Sequence, residues 1–167
     1  MILLVPGRHH LLTNFQFDYL RKIVLDGIHW DPNFQPGAHK SVEQISAIIF
    51  AVTSSNHHGT KRNPIPFHLR SLAIHDFGCD WPVPIYVFGV NDIGRVDDFG
   101  AYTIKTIEHE SNYRFDLSAK NCTVVCSTAV AESFSKIGYG ILPAERANRK
   151  IPNTKFVLPW KLSLIHI

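Results

Sequence analysis

The chain has 167 residues, 45% hydrophobic and 19% charged, with a formal net charge of +3 when its ten histidines are neutral. These are ordinary values for one soluble globular domain with a sizeable core. The mild basicity fits a small anionic ligand, and without a dense Lys/Arg stripe it speaks against nucleic acid. Cys79, Cys122 and Cys126 form no CxxC pair, so buried reduced thiols are expected. Neither a secretory leader nor a membrane span is legible, and the expected compartment is the cytoplasm.

In chain order, the apolar run Met1–Val5 predicts a first buried strand. Phe17, Leu20, Ile23 and Val24 fall at helical spacing, and Gly27 is placed to stop that helix. Between them runs Gly7-Arg8-His9-His10-Leu11-Leu12-Thr13-Asn14-Phe15-Gln16, a strand-to-helix loop with Thr13 or Asn14 as the cap. Such a loop lies at the carboxyl ends of the strands, where open α/β sheets bind ligands. Free N–H groups at the helix start favour an anion there, and Arg8 adds a planar cationic fork.

Residues 28–43 hold too many helix breakers for a continuous element. Ile45–Val52 reads as a second buried strand that ends in a polar loop, Thr53 to Pro64. A helix over Pro66–Phe77 follows, with Leu69, Leu72 and Ala73 as its expected apolar stripe and Gly78 as its stop. Val83–Val90 predicts a third strand that delivers Asn91-Asp92-Ile93-Gly94-Arg95 to the same edge. A short helix is expected around Ala101–Glu108, then a strand at Cys122–Cys126 and a helix started by Ser127-Thr128. Alternating strand and helix predict a Rossmann-like, doubly wound parallel sheet, with the loops 7–16 and 53–63 meeting at one edge.

The pairs His9-His10 and His57-His58 invite a metal reading. Neighbouring histidines rarely converge on one ion, and no third ligand is spaced to help, so no metal site is assigned. One of His9 or His10 is instead expected to face a phosphate. Lys61 and Arg62 supply further cations, and Asp92 serves either a turn or a substrate hydroxyl. The last six residues, Leu162 to Ile167, match in order a translation of the transposase-end adapter used in DNA library preparation. The expected domain therefore spans 1–161 and continues beyond about Lys161 in the natural protein.

Together these loops resemble the archaeal-type nicotinamide-mononucleotide adenylyltransferases of the HxGH nucleotidylyltransferase superfamily. In that family the first strand ends in Gly-Arg, followed by four residues and HxGH; here Gly7-Arg8 is followed by four residues and Thr13-Asn14-Phe15-Gln16. The family's Gly-Ser-Ala-Gln, Thr, Asn-Pro-Phe and helical Arg are matched in order by Ser54-Ser55-Asn56, Thr60, Asn63-Pro64 and Arg70. Asn91-Asp92-Ile93 resembles Pro-Asp-Ile, and Gly138-Tyr139 resembles the Gly-Tyr that closes a later helix. Phe15 and Gln16 depart from the motif's Gly and final His, and the family's Thr-x-x-Arg helix start is not visible. The resemblance implies transfer of a nucleotidyl group from ATP or another nucleoside triphosphate to a phosphorylated acceptor, with Mg²⁺ carried by the substrate phosphates. It implies Arg8, Thr13 and Gln16 at the reaction centre. Gly7, His9, His10, Ser54, Asn56, Thr60, Lys61, Arg62, Asn63, Arg70, Asn91 and Asp92 would contact substrate. A nucleotide-binding module that has lost the reaction is the alternative, and a homo-oligomer is compatible with either.

Overall fold

The computed structural model describes residues 1–29, 42–94 and 96–144. The expectation for Leu162–Ile167 falls outside them. The first strand, β1 (Ile2–Gly7), is paired on both sides, and Leu3 and Leu4 are fully buried. Helix α1 (Asn14–Asp26) starts at Thr13, whose side chain accepts the Gln16 N–H, while Gln16 Oε1 accepts the Thr13 N–H at 3.0 Å. This reciprocal capping box satisfies two donors at the helix start. Thr13→Ala is expected to cost about 1 kcal/mol, seen as a lower urea midpoint with an unchanged slope; an unmoved midpoint would remove the cap from the account.

Gly27 ends α1, and β2 (Ile28–His29) and β3 (Val42–Glu43) form a two-residue antiparallel pair within the expected irregular excursion. Then come β4 (Ala47–Thr53), α2 (Phe67–Phe77), β5 (Ile85–Val90), α3 (Phe99–Glu110), β6 (Cys122–Cys126), α4 (Thr128–Ser135) and β7 (Gly140–Pro143). The main sheet has the order β5-β4-β1-β6-β7, and every neighbouring pair is parallel. Tyr19, Leu20 and Ile23 of α1 and Ile74 of α2 cover one face of the sheet. Ile104 and Ile107 of α3 and Ala131 and Phe134 of α4 cover the other. This is the expected Rossmann-like doubly wound fold. No helix among the described residues is long and apolar enough to cross a membrane.

Two expectations need correction. The stripe on α2 is not Leu69, Leu72 and Ala73, which are exposed, Leu69 by 48% and Leu72 by 60%. The helix is turned so that Arg70 and Ile74 are buried, with Phe67 and Phe77 packed against the same core. A cation on the inward face is the cause, since hydrophobic periodicity counts it as an outward residue. The second correction is β7, a four-residue strand with no expected counterpart.

Candidate functional site

Strand order decides where a ligand fits. The chain leaves β1 toward β4 and β5 on one side, and its later half places β6 and β7 on the other. Loops after β1 and β6 therefore diverge and leave a crevice at the carboxyl edge, the topological switch point of the sheet. A cleft of about 380 Å³ lies there, with walls that include Gly7 and Arg8 after β1, Ser54 after β4, Asn91 and Asp92 after β5, and Ser127 after β6. Phe99 and Tyr102 of α3 and Val130 of α4 complete its apolar side.

Side chains clasp these loops together. Asn56 Nδ2 donates to the Asp92 carbonyl at 3.0 Å, and the Asp92 N–H donates to Asn56 Oδ1 at 2.8 Å. Ser55 Oγ donates to Asn91 Oδ1 at 2.8 Å, and Tyr102 Oη donates to the Asn91 carbonyl at 3.1 Å. The Asp92 carboxylate accepts the Gly94 N–H at 3.1 Å and the Ser54 hydroxyl at 3.4 Å. The β4 and β5 exits can approach this closely because residue 89 is glycine; a Cβ there would come 2.9 Å from Ser55 Cβ.

Beneath the cleft, on the α2 side, lies Arg70, only 1% exposed. Its Nη1 donates to the carbonyls of Arg8 and Thr53, both at 2.9 Å, and its Nη2 to the carbonyl of Ser54 at 3.0 Å. Its Nε has no partner among the described residues. Desolvation lowers its pKa from the ordinary arginine value, yet a guanidinium stays charged at neutral pH. Three main-chain carbonyls thus hold a buried cation.

His9 turns inward. Its Nε2–H donates to the Val5 carbonyl at 3.1 Å, and its ring meets Phe50 edge-on at 5.2 Å between centroids. Residue 7 must be small for this, since a Cβ there would stand 3.0 Å from the imidazole. Burial holds the His9 pKa down at about 4, and the charges of Arg70 and His10 act in the same direction. His9 is therefore a neutral packing group at physiological pH. His10 Nε2 pairs with Asn63 Oδ1 at 3.4 Å, and Asn63 is itself buried.

Of the residues expected at the site, the structure brings Gly7, Arg8, Ser54, Asn91 and Asp92 to the cleft wall, with Asn56 clasping behind them. Thr60 caps the turn at Asn63, whose N–H it accepts at 3.0 Å. Lys61 and Arg62 are exposed, outside the cleft lining. Thr13 and Gln16 bond each other, and Gln16 borders a small apolar pocket with Tyr19 and Val125 on the opposite face of β1 and β6. Sequence reasoning missed Phe99, Tyr102, Ser127 and Val130. The usable signal was positional for Ser127, which directly follows a predicted strand. Comparison of the chain with protein-family models, with curated proteins and with solved structures returned no match.

Proposed function

We propose that the cleft binds a nucleoside triphosphate, ATP first among them, and supports transfer of its nucleotidyl group to a phosphorylated acceptor such as nicotinamide mononucleotide. The supporting observation is the convergence of Gly7-Arg8, Ser54 and Asn91-Asp92 on one crevice at the switch point. These are the loops to which the resemblance to the nucleotidylyltransferases assigns substrate contacts. In the reaction an acceptor phosphate oxygen bonds to the α-phosphorus while the bond to the β-phosphate oxygen breaks, and pyrophosphate leaves with that electron pair. The protein's share is to hold two anions in line and to stabilise charge moving onto the leaving group. Arg8 on the cleft wall and the buried charge of Arg70 supply positive potential for this. Mg²⁺ is satisfied by phosphate oxygens and water with few protein ligands. The donor set fits such a substrate-borne ion, because the cleft's described carboxylate, Asp92, already accepts two hydrogen bonds.

The test is pyrophosphate release from ATP and CTP with a panel of phosphorylated acceptors. Arg8→Ala removes a charge-assisted contact, and an increase of about 1.5–3 kcal/mol in binding or activation free energy is expected. An unchanged rate and affinity would take Arg8 out of the site.

One observation favours a second reading, a nucleotide-binding module without catalysis. Gln16 stands at the place of the motif's final His and is engaged by Thr13 on both its N–H and its hydroxyl. Nucleotide binding without pyrophosphate release, in wild type and in Gln16→His alike, would select that reading. Calorimetry showing no nucleotide binding to the folded protein would reject both.

A further inference from the structure

Two loops of this site share an unusual backbone feature. Non-glycine residues with positive φ are uncommon and cost strain unless their surroundings impose it. Two of the four among the described residues sit at equivalent places: His9 with φ 50° after β1, and Ser54 with φ 53° after β4. In each case the carbonyl immediately before the strained residue, that of Arg8 or of Thr53, is bonded by the same atom, Arg70 Nη1. Arg70 Nη2 then takes the carbonyl of Ser54 itself.

We propose that Arg70 is a positioning residue, a single buried guanidinium that locks the left-handed turns at His9 and Ser54 to each other and so sets the β1 and β4 walls of the cleft as one unit. This rests on the reading of that cleft as a ligand site, and it replaces the expectation that Arg70 touches substrate. The geometry of the peptide unit gives the brace its consequence. A trans peptide points its N–H opposite to its C=O. Arg70 approaches from α2, on the face covered by α1 and α2, whereas Phe99, Tyr102 and Val130 line the cleft from α3 and α4 on the other face. Drawing the Arg8 and Thr53 carbonyls toward Arg70 thus turns the His9 and Ser54 amides toward the cleft side. A lysine cannot substitute, because it offers one compact ammonium where two nitrogens of a rigid planar fork hold three acceptors.

The first measurement needs neither ligand nor mutation. In the wild-type protein the Arg70 Nη protons should give separate NMR signals at low temperature, as a guanidinium pinned on both nitrogens cannot rotate freely. A single averaged signal would overturn the proposal. The second compares amide hydrogen exchange in wild type and Arg70→Lys. Segments 8–10 and 53–55 should both exchange at least tenfold faster in the variant, with α3 and α4 unchanged. Acceleration of one segment alone, of neither, or of the whole chain equally would mean that Arg70 does not couple the loops. Finally, MgATP affinity should fall at least tenfold in Arg70→Lys, and an unchanged affinity alongside loosened loops would sink the functional half of the inference. Failure of wild type to bind MgATP would strike the reading of the cleft and the functional half with it, while the NMR and exchange results judge the brace itself.

Discussion

Acidification from pH 7 to pH 4 is expected to remove about 3 kcal/mol of folding stability through His9 alone. Its pKa in the folded protein is held down at about 4 against an ordinary 6.5, first by burial and then by the charges of Arg70 and His10, with the hydrogen bond to Val5 opposing them. Between these two values the unfolded chain takes up a proton that the folded chain refuses. Protonation therefore favours the unfolded state, and stability falls with pH across that window and levels off below it. A depression of the pKa from 6.5 to about 4 corresponds to about 3 kcal/mol. Asparagine tolerates left-handed backbone better than other non-glycine residues, so His9→Asn is the suitable control. Urea unfolding of both proteins at several pH values should give a stability difference that changes across pH 6.5–4. A flat difference would mean that His9 is not buried neutral.

Phe134→Ala should destabilise the fold by about 3–5 kcal/mol, the usual cost of emptying a buried aromatic site. Phe134 is fully buried and meets Phe99 at 6.2 Å and Tyr139 at 6.4 Å between ring centroids, both edge-on. Phe99 also borders the cleft, so the lesion should reach ligand binding as well as stability. Phe134→Leu keeps most of the volume and should cost less than half as much. Denaturant titration of the two variants checks this, and a loss under about 1 kcal/mol for Phe134→Ala would contradict the packing of α4 on the sheet.

The strands were legible where burial is two-sided. The runs in β1, β4 and β6 are almost continuously apolar because parallel neighbours and two helix layers cover them. From β1 and β4 the cleft residues Gly7, Arg8 and Ser54 followed, and Asn91 and Asp92 followed from the half-buried edge strand β5, since strand exits are fixed once strands are. Position in the fold is readable in this way; partnership is not. Arg70 looked like a substrate contact because nothing in a sequence marks a main-chain carbonyl as an acceptor. His9 looked like a ligand-facing residue because its inward turn depends on a left-handed φ and on the absence of a Cβ at Gly7. Phe99, Tyr102 and Val130 went unread because residues at helix starts that border a cleft carry the same apolar pattern as core residues. The short β7 was lost for want of length, since its buried run is only four residues, Gly140–Pro143, with a glycine and a proline at its ends.

The placement of β1 carries a consequence for how the protein is made. This strand leaves the ribosome before every other described element, yet it sits in the middle of the sheet. One side waits for Ala47–Val52, and the other waits until Cys122, Thr123 and Val124 emerge to meet Ile2, Leu3 and Leu4. Pairings this far apart in sequence are slow to form. Until Cys122–Val124 emerge, then, the nascent chain presents an apolar strand with an open edge, the kind of template on which chains aggregate. Ribosome-bound chains stalled before residue 122 should accordingly engage holding chaperones, and chains carrying β6 clear of the exit tunnel should release them.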